Sequence, residues 1–393
     1  MKPLQGVRVL TLEQFGAGPY GSMFLADLGA EVVKIENAAT GGDPARYAGP
    51  FALGPADSEY FQGWNLNKRS VLLDLGSAQG RRAFEQLVIG AHAVINNLRG
   101  DVPAKLGLDY ASLSRINPAI VCLHISAYGR DNDRAARPGY DYLMQAEAGL
   151  MSLTGEPDGP PARFGPSIID YMTGITGIVG LLSCLFRARE TGKGCDVDTC
   201  LFDVALHQLN YVATWYLNEG HVSTRSERSA HFSVAPVQTF PTADGWVFVM
   251  CMTDKFWNAL AQKLARTDLQ SNPQFATQAE RHQNREALTA ILDAEFAKYP
   301  TQHWLGELSS VLPIAPIHDL AQALDSPFVT QTGMVRNVSH PHKPDLRVLA
   351  NPIRLDGKRL EQVVCSALGA DNERLLGSLA SADVGGQQSR GPR

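Results

Sequence analysis

The sequence has no apolar run of membrane-spanning length. Its longest, Ile175 to Phe186, holds twelve residues, against the ~20 that a bilayer span needs, and reads as a buried core helix. The opening, Met1-Lys-Pro-Leu-Gln-Gly, lacks an apolar signal core, so a cytoplasmic protein is expected. Cysteine is sparse: Cys122, Cys184, Cys195, Cys200, Cys251 and Cys365 are scattered through 393 residues, which points to reduced thiols rather than a disulfide framework. Cys195 and Cys200 have no second ligand pair, and His340 and His342 flank a proline without partners, so no metal is expected. A basic excess is missing too. The net charge of −5 gives no electrostatic reason to bind nucleic acid. No internal repeat is visible.

What is present is a globular composition, 44% hydrophobic and 19% charged, in a chain long enough for two cores. Residues 7–12 read as a strand, 19–28 as a helix opened by Pro19, and 31–35 as a second strand, which makes a βαβ unit. Strands at 71–75, 93–97 and 119–126 alternate with helices at 78–90, 103–106, 142–151 and 174–190, predicting a doubly wound α/β sheet through about residue 200. A helix over 200–217, a polar linker at 221–229, a hairpin over 236–251 and helices from 254 to 324 follow. Strand-like sequence resumes near Val335, and a last helix near 372–379 precedes the tail. The division expected is 1–220 for a large domain, 221–325 for a small α+β domain with its linker, 326–380 for a return to the large domain, and 381–393 for a disordered tail.

Three stretches carry candidate chemistry. Gly16-Ala-Gly18-Pro-Tyr-Gly21 has the spacing of a dinucleotide fingerprint, with Glu36 where a ribose-binding acid would stand. However, three residues separate its first glycine from the strand, so glycines that admit a ligand or another backbone are the competing reading. Lys68 and Arg69 could grip a phosphate or sit in a solvated turn. Asp170 lies between two isoleucines and an apolar run, where a strand is expected to pass into a helix. It could cap that helix, and a carboxylate held ionised by the helix N-terminus could also act as a nucleophile.

Taken together, Leu4-Gln-Gly-Val-Arg-Val-Leu10, Ala17-Gly-Pro19, Leu28-Gly-Ala-Glu-Val-Val-Lys-Ile-Glu36, Gly42-Asp-Pro44, Asn67-Lys-Arg-Ser70, Gly139-Tyr-Asp141, Asp170 with Thr173-Gly174, and Thr191-Gly-Lys-Gly194 resemble the class III CoA-transferases. That family includes formyl-CoA transferase, carnitine CoA-transferase and the α-methylacyl-CoA racemases. The resemblance implies a Rossmann-like large domain built from both termini, a smaller inserted domain, and an interlocked homodimer. It implies reversible transfer of CoA from an acyl-CoA, with succinyl-CoA a favoured donor, to a small carboxylic acid, with no tightly bound cofactor.

Asp170 matches the family's nucleophile, which passes through an anhydride and an aspartyl-CoA thioester. Tyr140 and Thr253 stand where racemases place a histidine and a glutamate, which favours transfer over α-proton exchange; a racemase and an NAD(P)-dependent oxidoreductase remain the alternatives. A non-catalytic CoA-binding subunit is a further one. Gly16, Ala17, Leu73, Gly76, Asn97, Leu98, Arg99, Lys105 and Arg137 are the implied CoA contacts. Asn37 replaces a CoA-binding arginine, leaving Arg46, Lys68 or Arg69 to supply a cation. Arg134 or Arg137 could hold a second substrate carboxylate, and Met250 to Thr253 replaces the glycine run of formyl-CoA transferase.

Overall fold

The structure is a computed structural model that describes residues 2–377; the stretch 381–393, expected to be a disordered tail, lies outside the described residues. The chain forms two compact units. The first takes in residues 2–148, 165–209 and 327–377, and the second residues 149–164 and 210–326.

The first unit is built on six strands, β1 (Arg8–Leu12), β2 (Glu31–Glu36), β3 (Arg69–Leu72), β4 (Ala93–Asn96), β5 (Val121–Ser126) and β6 (Cys195–Cys200). Every pairing is parallel, and the order across the sheet is β3-β2-β1-β4-β5-β6. This is the order of a dinucleotide-type doubly wound sheet. Strands in such a sheet are covered on both faces and lose polar alternation, and all six residues of β5 are buried accordingly.

Among the helices of this unit are α1 (Ala17–Asp27), α2 (Ala78–Ile89), α3 (Asp141–Glu147) and α4 (Ile168–Thr191). Phe84, Leu87 and Val88 of α2 pack over Leu10, Val33, Val71 and Val94 on one face of the sheet. On α4, Gly177 lies close to Leu123 and Ile125, and Gly180 to Val197. By length and composition α4 could cross a membrane, which the twelve-residue count did not anticipate because threonines and glycines dilute its start. It is folded along α1, β5 and β6, burying Ile169, Ile178, Leu181 and Leu185.

The strand expected before Asp170 is absent. Residues 164–167 are irregular and the helix begins at Ile168. β-branched residues favour strands only weakly, and burial of Ile169 at 0% exposure overrides that preference. The helix expected over 200–217 is broken, since Asn210 adopts φ 44°.

The second unit has a three-stranded antiparallel sheet of Val237–Pro241, Trp246–Met250 and Ile314–Pro316. Helices between residues 254 and 308 cover it, around Phe240, Trp257, Phe296 and Trp304.

Candidate active site

Between β1 and β4 the sheet changes winding direction, so the loops leaving these strands diverge and open a crevice at their carboxyl ends. A cavity of about 300 Å³ sits there, lined by Gln14, Phe15, Gly16, Ala17, Asn97, Leu98, Arg99, Arg137, Tyr140 and Asp170 among others. Its neighbour of about 360 Å³ lies over the ends of β1, β2 and β3, lined by Leu73, Asp74, Gly76, Asn37 and Leu106 among others; Gln14 and Leu98 border both.

Asp170 is the third residue of α4, not its cap, and Ser167 at the cap makes no side-chain bond. The capping acid comes from elsewhere. Asp141, the first residue of α3, accepts the Ile169 N–H at 2.6 Å and the Asp170 N–H at 3.0 Å through Oδ2, and the Gln145 side chain at 2.5 Å through Oδ1. Two amides of the α4 N-terminus are thus spent on Asp141, and those of Ile168 and Tyr171 on the carbonyls of Pro166 and Ser167. Burial, and then the Asp141 charge, push the Asp170 carboxyl up to about 7, so the expectation that helix-end amides hold it ionised is corrected. Sequence reasoning gave Asp141 no role, although its place directly after Tyr140 was visible.

The glycines explain themselves by contact. A Cβ on Gly16 would stand 2.2 Å from Asp170 Oδ2, and one on Gly21 would stand 2.7 Å from the Gly174 carbonyl. Substitution would force the nucleophile candidate or the α1–α4 packing apart. Glu36 offers nothing to a ribose: Arg46 donates to it at 2.7 and 2.8 Å, and Ser70 at 2.6 Å. The dinucleotide reading fails at both ends of its motif.

Among the other residues singled out from sequence, Tyr140 is 61% exposed and meets Phe15 edge-on at 6.5 Å. Asn97 ties down the β1 loop, accepting from the Gln14 N–H at 2.9 Å and donating to its carbonyl at 2.7 Å. Arg99 reaches Asp101 at 3.6 Å, and Lys105 holds the same carboxylate at 2.6 Å from an exposed position that borders neither cavity.

The cation sought in place of Asn37 is not found among the three candidates. Arg46 is bound to Glu36 and Lys68 to Glu13 at 2.8 Å, both buried. Arg69 opens β3 at the end away from the cavity, 3.8 Å from Asp371. Arg134 is paired with Glu147. Thr253 accepts the Phe256 N–H and caps the helix Asp254–Lys263.

The profile of CoA-transferase family III matches residues 4–372, and the chain belongs to that family: it is a CoA-transferase. A succinyl-CoA:mesaconate CoA-transferase from Haloarcula marismortui is 33% identical over 90% of each chain. The succinyl-CoA:glutarate CoA-transferase of Mus musculus is 31% identical over 98% of this chain and 88% of its own. In structure, a CAIB/BAIF family protein from Brucella suis superposes with a TM-score of 0.83 at 33% identity, covering 96% of this chain and 99% of its own.

Proposed function

We propose that the chain carries CoA reversibly from an acyl-CoA donor to a carboxylic acid, with Asp170 as the covalent acyl acceptor. The observation that carries this reading is a carboxyl with no cation among the groups that shift it, in the switch-point cavity and against a glycine that leaves it room. A desolvated carboxylate titrating near 7 is ionised in part at neutral pH, and it is a better nucleophile than a solvated one.

Its oxygen attacks the thioester carbon and expels CoA thiolate, leaving a mixed anhydride. The thiolate attacks the Asp170 carbonyl and releases the donor's acid, giving the aspartyl-CoA thioester. The acceptor carboxylate attacks the Asp170 carbonyl of that thioester and expels CoA thiolate, forming a second anhydride; the thiolate then attacks the acceptor's carbonyl, and Asp170 leaves as the free carboxylate. Tyr140 reaches the same cavity as a hydroxyl donor that orients the acyl oxygen.

Gly16, Ala17, Asn97, Leu98, Arg99 and Arg137 hold the reactive arm and diphosphate of CoA, and Leu73 and Gly76 its nucleoside. Lys105 joins them once it leaves Asp101. The names of the relatives support succinyl-CoA as donor and a small dicarboxylic acid as acceptor. Exposed Val179 and Phe186 on α4 are consistent with a covered face in a homodimer; its interlocked form and its place in the cytoplasm rest on the family resemblance alone.

Incubation with succinyl-CoA and hydroxylamine, followed by intact and peptide mass spectrometry, should place a hydroxamate on Asp170. Its absence, or undiminished transfer by Asp170→Ala, would sink the mechanism.

A further inference from the structure

The two cavities differ in charge, and the difference bears on which part of a CoA thioester is recognised. The one with Asp170 has two guanidinium groups on its walls, Arg99 and Arg137. The other has none. Apolar side chains of Ile35, Leu73, Leu75 and Leu106 form much of its lining, and the ionisable residues that reach it are acids: Glu13, Glu36, Asp43 and Asp74.

The cations that balance these acids stand behind the wall. Lys68 binds Glu13, Lys34 binds Asp43 at 2.9 Å, and Arg46 binds Glu36, with every one of these side chains at 0–1% exposure. Asp74 accepts the Gly76 N–H at 2.9 Å. At the rim, Asn37 is exposed and neutral, its side-chain oxygen accepting the Ala39 N–H at 2.9 Å.

We infer that the enzyme does not read the 3′-phosphate of its CoA substrate. The inference rests on the proposed function and sharpens its substrate class to thioesters of CoA and of 3′-dephospho-CoA alike. A flat, uncharged base fits apolar walls. A doubly charged phosphate gains nothing from a lining whose charges are negative or already paired, and it must stay in water at the rim by Asn37. The diphosphate is different, since it lies towards the cavity with the two guanidinium groups. A single charge-assisted hydrogen bond to the 3′-phosphate would favour CoA by roughly tenfold or more.

The test compares binding of CoA and 3′-dephospho-CoA to the full-length enzyme by calorimetry, with transfer rates from the two succinyl thioesters measured in parallel. Affinities and kcat/KM within about threefold of each other are expected, and a preference for CoA above tenfold overturns the inference. Asn37→Arg should install a preference of about tenfold for CoA; Asn37→Lys serves the same purpose should the first variant not fold. A folded variant of either kind that shows no preference overturns the placement of the phosphate at this rim. Loss of transfer with both thioesters, at equal affinity, would strike the proposed function and leave this inference standing.

Discussion

Two groups of carboxylates, one fully buried and one half-buried, stand within one unit and behave in opposite ways. Under the β1 and β2 ends, Glu13, Asp43 and Glu36 are each matched to Lys68, Lys34 and Arg46. Burial would raise the acids, but Lys68 and Lys34 hold Glu13, and Arg46 and Lys34 hold Glu36, below the usual carboxylate range. At the start of α4, Asp170 has burial and a neighbouring acid, with no cation to offset them, and titrates near 7. Lys68 is itself pushed down to about 8 by burial. What separates the structural acids from the candidate reactive one is the counter-charge. A matched cation favours the ionised form of the acid and holds its carboxylate in place.

The largest test of this contrast is Asp170→Asn, which should cut transfer by roughly 10³-fold or more while making the fold sturdier. The sign follows from linkage. The unfolded carboxyl titrates near 3.8 and the folded one near 7, so between these values the folded state holds more proton. Stability present below pH 4 is lost as pH rises, completely so above 7, by up to about 4 kcal/mol. The variant should therefore gain on wild type in urea melts at pH 8 and not at pH 4. An equal gain at both would break the contrast.

On the matched side, Lys68→Met strands Glu13 without its partner and should cost about 3–5 kcal/mol in chemical denaturation. Combining it with Glu13→Leu should restore much of that loss. Strict additivity of the two would show that the pair does not act as a pair.

Gly16→Ala presses a methyl into Asp170 and should lower kcat about 100-fold, with a melting temperature that moves little. A large loss of stability with normal kcat would mean that the glycine serves the fold alone.

The smallest effect expected is from Asp141→Asn. It keeps a side-chain oxygen for the Ile169 and Asp170 amides and removes the charge that raises Asp170. The acidic limb of the kcat/KM profile, on which activity rises with pH through about 7, should shift down by about one unit. An unmoved limb with reduced kcat would make Asp141 a purely geometric support.

Much of this was legible in advance. Short β-branched runs separated by helical periodicity gave the sheet, because burial on both faces demands those residues locally. An acid set in an apolar run drew attention to Asp170, and many ordered blocks gave the family. The Gly16 to Gly21 spacing was readable, but its purpose was not, because the partners Asp170 and Gly174 lie more than 150 positions away. The ion pairs were hidden as well, at separations of 55 positions for Lys68 and Glu13 and only 10 for Arg46 and Glu36: nothing local marks either cation as belonging to its acid, and so both stood as candidate phosphate ligands.

By itself, then, the sequence determined the alternation of strands and helices, the family and the identity of the candidate nucleophile, all of which rest on local pattern. Only the tertiary structure decided which acids are neutralised and which is left bare, since that depends on what the fold brings within about 3 Å of each carboxylate.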